Sequence, residues 1–144
     1  MRQQLFREMS MMATETRVHH LALTTSDLET AVRFYDPLLS CLGYRKVSTS
    51  ASLAAWELIG QPEILLYQAK GEAASRSHSL YQPGFHHLAF RVRNSVAVDQ
   101  IHSWMCEGGH PVLEPPRPYP EYPGDYYAVF FLDPDGLKLE VMTD

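Results

Sequence analysis

The stretch VHHLAL at residues 18–23 returns almost unchanged as FHHLAF at residues 85–90. Each copy has the alternation of a half-buried strand, and two near-copies of one strand indicate a duplicated module. Side chains alternate across a strand, so His20 and His87 occupy matching faces of the two copies, while His19 and His86 point the other way. If the modules pack with the first pair of faces inward, we expect His20 and His87 to converge.

A carboxylate on a later strand adds to this pair. The segment DPDGLKLE at residues 133–140 predicts a tight turn followed by a strand that carries Glu140, since proline and glycine stand where such a turn needs them. A single strand histidine is more often a hydrogen-bonded core or surface residue. Two matched histidines with one carboxylate are a recognised divalent-metal set, and together they favour a metal site of His20, His87 and Glu140.

Composition limits the function classes. The chain has 144 residues, 45% of them apolar, which predicts one domain or two small modules that share a core. A net charge of −5 argues against nucleic acid or an anionic membrane as partner. No apolar run approaches the roughly 20 residues that cross a bilayer, and the N-terminus lacks the pattern of a secretory signal. We therefore expect a cytoplasmic protein in which Cys41 and Cys106 are free, buried thiols.

The first half of the chain reads as one βαβββ module. Residues 1–16 are treated as an N-terminal arm, and residues 17–69 as module one. A strand is predicted to about residue 25, followed by a helix that starts at a capping box of Ser26 and Glu29. Pro37 should break this helix near Asp36, with a short second helix up to Leu42. The predicted strands that follow span residues 45–50, 54–59 and 63–68.

The second half repeats this order after a polar linker at residues 70–84. Module two, residues 85–144, should begin with a strand over 85–93 and a helix capped by Asn94 or Ser95. The segment 114–124 holds five prolines and reads as a loop, either a lid or a stiff connector or dimer contact. A hairpin over 126–132 and 137–142 ends the chain. The predicted fold is α+β, with two βαβββ modules that form a curved mixed sheet and helices outside it.

These motifs resemble the vicinal-oxygen-chelate superfamily, which holds glyoxalase I, fosfomycin-resistance transferases, bleomycin-resistance proteins and extradiol dioxygenases. The resemblance covers residues 17–142. It rests on HLAL at 20–23 with Asp27-Leu28 after it, on FY at 34–35 and LGY at 42–44, and on HLAF at 87–90 with the DPDG hairpin. It implies a cupped site in which His20, His87 and Glu140 hold one divalent metal ion (Fe, Mn, Ni or Zn). It also implies a small-molecule substrate and a homodimer.

Two departures from the family pattern narrow the activity. Glyoxalase I has a further glutamate ligand on the last strand of its first module. Here that place falls on Leu65 or Leu66, and only a register shift would bring Glu63 to it, which disfavours glyoxalase I activity. Fosfomycin transferases hold their drug with hydroxyl side chains, and the corresponding places look like Ala22, Ala128 and Phe130. Fosfomycin is therefore disfavoured as substrate.

The resulting hypothesis is a metal-dependent lyase, isomerase or dioxygenase that acts on a small oxygen-rich molecule. A non-catalytic protein that binds and sequesters an antibiotic or metabolite is the alternative, and a purely structural duplicated domain is a weaker one. The sequence assigns no catalytic residue beyond the metal ligands. The candidate substrate-binding residues are Trp56, Tyr67, Arg91, Tyr122 and Tyr127, although each aromatic side chain could instead belong to ordinary core packing.

Overall fold

The structure is a computed structural model that describes residues 3–4 and 16–144. Nearly all of the predicted arm at residues 1–16 lies outside the described residues. From residue 20 onward each half of the chain has the order βαβββ. The elements are β1 (His20–Thr25), α1 (Leu28–Cys41), β2 (Arg45–Thr49), β3 (Leu53–Glu57), β4 (Glu63–Gln68), a 3₁₀ helix (Gly71–Ser75), β5 (His87–Arg91), α2 (Ser95–Glu107), β6 (Val112–Pro118), β7 (Tyr127–Leu132) and β8 (Lys138–Thr143).

Each module forms its own four-stranded mixed sheet. The strand orders are β1-β4-β3-β2 and β5-β8-β7-β6, so the two sheets have the same topology. The first strand of each module pairs in parallel with the last, and the other pairs are antiparallel. The α+β fold predicted from the duplication is confirmed. The strands β1 and β5, which carry the matched histidines, are both edge strands.

Helix α1 differs from the prediction at both its start and its middle. Asp27, not Ser26, is the N-cap, and its carboxylate accepts a bond from the Thr30 amide at 2.7 Å. The helix also continues through Pro37 instead of breaking near Asp36. Tyr35 before the proline and Leu38 and Leu39 after it are buried, and their packing outweighs the one hydrogen bond that proline removes. In the described part of the chain no helix is long and apolar enough to span a membrane.

The start of the predicted loop 114–124 is a strand. Residues 112–118 form β6, which pairs with β7 through two register shifts. Three of its seven residues are prolines, yet the strand persists because it is at the edge of the sheet, where proline's missing N–H is tolerated. The cap predicted for α2 is confirmed as Asn94, whose side chain accepts a bond from the Ala97 amide at 3.0 Å.

The modules are joined through the sheet faces that carry the helices. One cluster of buried apolar residues runs through both modules. Within it, the Phe34 ring of α1 lies 6.0 Å from Trp104 and 6.4 Å from Phe131, measured between ring centroids. The Tyr35 hydroxyl donates to Asp133 across the same junction at 2.8 Å. The opposite face of each sheet therefore points away from the shared core, and we call it the open face of that module.

Both cysteines are free, as expected, but neither is buried. Cys41 closes α1 and Cys106 lies in the last turn of α2, and both are exposed. The prediction of buried thiols is wrong because both positions fall on the solvent side of their helices, away from the apolar stripe that packs on the sheet.

Candidate metal centre

The open face of module two brings His87 and Glu140 together. β5 and β8 pair in parallel with His87 beside Lys138 and Ala89 beside Glu140, so alternate residues of both strands share this face. The Nε2 atom of His87 lies 3.3 Å from Oε2 of Glu140. Glu140 is only 3% exposed. A buried carboxylate is costly unless it is paired, and no Lys or Arg among the described residues pairs with this one.

The second oxygen of Glu140 is held by a tyrosine. The Tyr126 hydroxyl donates to Oε1 of Glu140 at 2.5 Å. Burial, followed by this hydrogen bond to the carboxylate, raises the pKa of Tyr126 well above its usual value, so the hydroxyl remains a donor at neutral pH. The two carboxylate oxygens of Glu140 thus have different neighbours, a hydroxyl at Oε1 and an imidazole at Oε2.

Each matched histidine forms a hydrogen bond with the histidine that precedes it in the sequence. The Nδ1 atoms of His86 and His87 are 2.7 Å apart, and those of His19 and His20 are 2.9 Å apart. In both pairs the bond engages Nδ1 and leaves Nε2 of the second histidine as the nitrogen for another partner. A hydrogen bond at one ring nitrogen commonly sets which nitrogen binds a metal.

His20 lies on the open face of module one and is not joined to His87 and Glu140 within the chain. Among the described residues, no three His, Cys, Asp or Glu side chains are placed so that they could hold one metal ion. The described residues of one chain therefore do not assemble the predicted set of His20, His87 and Glu140. His87 and Glu140 thus bring one nitrogen and one oxygen donor together, and their role as metal ligands stays a prediction.

The strand registers identify the counterpart of Glu140 in module one. β1 and β4 pair with His20 beside Glu63 and Ala22 beside Leu65. Superposing this on the β5–β8 register places Leu65 where module two has Glu140. Glu63 occupies the place of Lys138. The open face of module one thus presents a histidine without the carboxylate that accompanies its copy.

A small apolar cluster surrounds the carboxylate of module two. Ala128, Phe130, Met142 and Tyr119 are all buried there, apart from the main core. Tyr126 packs against them, which places this aromatic floor directly beside Glu140. Burial raises the pKa of Tyr119, and the hydrogen bond from its hydroxyl to Glu114 adds to this effect, so that the pKa reaches about 12.

Two of the predicted substrate-binding residues lie on the wrong face. Trp56 is fully buried under α1, where its Nε1 donates to Asp36 at 2.8 Å. The Tyr127 hydroxyl donates to Asp99 of α2 at 2.8 Å. Both side chains point to the helix-bearing face of their sheet, so neither borders the open faces. The prediction that they contact a substrate bound there is wrong.

The other three predicted residues are accessible. Tyr67 is 43% exposed and lies on the open face of module one, in the same alternation as His20. Arg91 lies on the open face of module two and forms an ion pair with Asp144 at 2.6 Å. Tyr122 is 48% exposed and stacks on Tyr119 with 5.9 Å between ring centroids. Their roles as substrate contacts stay predictions.

The residue that the sequence reasoning missed is Tyr126. Its signal was the same alternation that identifies Glu140, because Tyr126, Ala128 and Phe130 fall on one face. Phe130 pairs directly with Glu140 across β7 and β8. Counting back from Phe130 in steps of two residues therefore reaches Tyr126 and not Tyr127.

Comparison with known proteins gives consistent similarities. Residues 17–141 match the family profile described as the Glyoxalase/Bleomycin resistance protein/Dioxygenase superfamily. The chain is 33% identical over 127 residues to the uncharacterized protein YqjT of Bacillus subtilis, covering 88% of this chain and 98% of that protein. It is 30% identical over 129 residues to the metallothiol transferase FosB of Staphylococcus epidermidis, covering 89% and 82%. A candidate glyoxalase from Bacillus halodurans superposes with a TM-score of 0.81 at 27% identity, covering 90% and 97% of the two chains.

Proposed function

Because the chain belongs to the glyoxalase/bleomycin resistance protein/dioxygenase superfamily, we propose that it is a divalent-metal-dependent enzyme acting on a small oxygen-rich molecule. The reaction is of the lyase, isomerase or dioxygenase type. The observation that carries this proposal is the His87–Glu140 pair, in which a buried carboxylate that no described Lys or Arg residue pairs with faces an imidazole Nε2 at 3.3 Å. When bound, a divalent metal polarises substrate oxygens and stabilises negative charge that develops on them.

The third ligand in this proposal is His20 of a second copy of the chain. In the part of one chain that the structure describes, only two donors come together, and the two matched histidines lie on edge strands of separate sheets. A homodimer that sets the open face of module one against the open face of module two from the other copy would complete the set twice. Among soluble oligomers, closed dimers with twofold symmetry are the commonest. In such a dimer both copies of the site would receive all three ligands.

The chain's own groups prepare this centre before any substrate arrives. Tyr126 holds one oxygen of Glu140 and leaves the other beside His87. His86 engages Nδ1 of His87, which leaves Nε2 as the ligand atom. The apolar floor of Phe130 and Met142 limits water around the carboxylate and strengthens its electrostatic interactions.

The side chains at two family positions argue against two relatives' reactions. Leu65 stands at the counterpart of Glu140, so the centre lacks the fourth protein ligand, a second carboxylate, expected of glyoxalase I. Ala128 and Phe130 supply no hydroxyl beside Glu140, which disfavours fosfomycin as the substrate even though FosB is a relative. We therefore propose a different small molecule for this site.

Elemental metal analysis of untagged protein tests the proposal, with His87→Ala and Glu140→Gln as variants. His102→Ala, an α2 histidine away from the open faces, is the matched control. We expect about one metal equivalent per chain in wild type and control, and loss in both site variants. Iron would direct substrate screening to dioxygenase reactions, and nickel or zinc to isomerase and lyase reactions. Absence of metal from wild type after reconstitution would overturn the enzyme proposal in favour of a binding and sequestering protein.

A further inference from the structure

The open face of module two carries a cation that the metal centre does not use. Resting on the proposed function, we propose that the Lys138 ammonium binds an anionic group of the substrate. The substrate is then a small molecule with a carboxylate or phosphate group next to the oxygens that reach the metal.

The position of Lys138 is fixed relative to both candidate ligands. It is the direct neighbour of His87 in the β5–β8 register and lies two residues before Glu140 on the same strand face. Its Nζ atom sits 4.2 Å from the centroid of the Phe130 ring. Phe130 is in turn the β7 neighbour of Glu140. The ammonium is thus held over the floor of the site, and the side chain does not extend away into solvent.

Lys138 differs from the other cations of this face in having no counterion. Arg91 is paired with Asp144 at 2.6 Å, and Arg117 with Glu114 at 3.3 Å. Among the described residues no carboxylate pairs with Lys138, a half-buried residue whose ammonium lies over the Phe130 ring. A ring face offsets part of the lost hydration of a cation, but it satisfies none of the three N–H donors.

The charges around the centre favour an anion at this place. A divalent cation and the Glu140 carboxylate leave a net positive charge, to which Lys138 adds another at short range. The chain as a whole carries −5, so this face would be a local positive region on an acidic protein. Module one has Glu63 at the register position of Lys138, which confines the anion subsite to module two.

The shape of the floor limits the rest of the ligand. The apolar side chains of Phe130 and Met142 belong to the cluster against which Tyr126 packs, and the Lys138 ammonium lies over the Phe130 ring. A compact carbon skeleton over them would place its anionic end on Lys138 and its other oxygens at the metal. Both carboxylate and phosphate oxygens accept bonds from an ammonium, and the shared chemistry is that of an oxyanion.

Titration with inorganic phosphate and, separately, with acetate tests the subsite, using chemical-shift changes in NMR spectra as the readout. Each probe is added to the full-length protein, both metal-free in EDTA and reconstituted. The variants are Lys138→Met, which retains an unbranched apolar stem, and Lys138→Arg, which retains the charge. Lys70→Met, at an exposed lysine of the linker, is the control.

We expect Lys138→Met to weaken binding of at least one probe about tenfold in both metal states, equivalent to about 1.4 kcal/mol. Lys138→Arg and Lys70→Met should bind like wild type. Stronger binding of phosphate than of acetate would assign the substrate group as a phosphate, and the reverse would assign a carboxylate. Equal binding by Lys138→Met and wild type, or no binding of either probe to wild type, would overturn the proposal. Because the metal-free arm is independent, failure of the metal centre would leave a Lys138-dependent signal intact.

Discussion

Tyr126 and Tyr127 are adjacent in the sequence and serve opposite faces of the same sheet. Tyr126 donates to Glu140 on the open face, and Tyr127 donates to Asp99 of α2. Replacing Tyr126 by Phe removes the bond that holds Oε1, so the carboxylate would lose orientation. We expect about a tenfold to hundredfold loss of metal affinity, the range typical for partners of metal ligands, measured by competition with a chelator.

Tyr127→Phe is the matched control for this experiment. It removes the same hydroxyl one residue away, from a side chain that does not contact the metal pair. We expect its metal affinity to equal that of wild type. If the two variants bind metal equally well, Tyr126 does not position Glu140, whatever their thermal stabilities.

Asp36 is a second residue whose role can be measured, in this case through stability. Its carboxylate accepts the indole N–H of the fully buried Trp56 at 2.8 Å and the Lys46 ammonium at 2.7 Å. Asp36→Ala would leave a buried N–H without a partner. We expect a loss of about 1–3 kcal/mol in the free energy of unfolding, measured by urea denaturation.

The exposed ion pair of Glu29 and Arg33 on the same helix provides the comparison. Solvent weakens such a pair, and Glu29→Ala should cost no more than about 0.5 kcal/mol. Equal losses in the two variants would show that the Trp56 bond contributes nothing measurable.

At the scale of elements, we expect the turn between β7 and β8 to have a pH-dependent stability. Burial raises the pKa of Asp133 above its ordinary value of 3.8, although bonds from Tyr35 and two backbone amides favour the charged form. A raised pKa in the fold means that Asp133 stabilises it most when protonated, below the ordinary value. That contribution is lost as the pH rises through the higher pKa of the folded state.

Asp133→Asn removes this titration and retains a carbonyl acceptor for the backbone amides. Relative to the variant, wild type should become progressively less stable as the pH is raised from about 3 to 7. Urea denaturation of both proteins across this range gives the difference directly. A constant difference would contradict the assigned shift.

The elements that the sequence predicts best are those in which local pattern and packing agree. Strand β4 has the predicted bounds, Glu63–Gln68, and the Asn94 cap of α2 is as expected. At Pro37 and at the prolines of β6 the prediction was wrong, because proline locally disfavours the helix and the strand that the structure has there. Buried neighbours carry the helix through Pro37, and an edge position tolerates the prolines of β6.

The candidate site shows the same division. The alternation of side chains placed His87 and Glu140 on one face of module two, as the structure has them. It could not show that the modules pack back to back, since that depends on which sheet faces carry the larger apolar area. Trp56 was misplaced for a related reason, because an aromatic side chain fits a core and a pocket equally well in sequence.

At the scale of the whole molecule, the proposal that two copies share each site can be tested by complementation. His20→Ala and His87→Ala should each bind no metal as separate dimers. In a mixed dimer both defects fall in one site and the other site is intact. Unfolding and refolding an equal mixture should therefore restore about a quarter of the wild-type metal content, because half of the dimers are mixed.

Glu140→Gln mixed with His87→Ala is the control for this experiment. Both substitutions affect the same half of the site, so no combination of these chains yields an intact centre. Recovery of metal in this control, or none in the first mixture, would contradict a site shared between copies.

The leucine at the counterpart of Glu140 has a consequence for how this protein could evolve. The two modules have equivalent strand positions here, Leu65 and Glu140, and only one of them holds a carboxylate. Replacement of Leu65 by an acidic residue would therefore place a second carboxylate at the equivalent position of module one. That carboxylate would be available for a new set of metal ligands. Module two can retain His87 and Glu140 while substitutions at the equivalent positions of module one change the site.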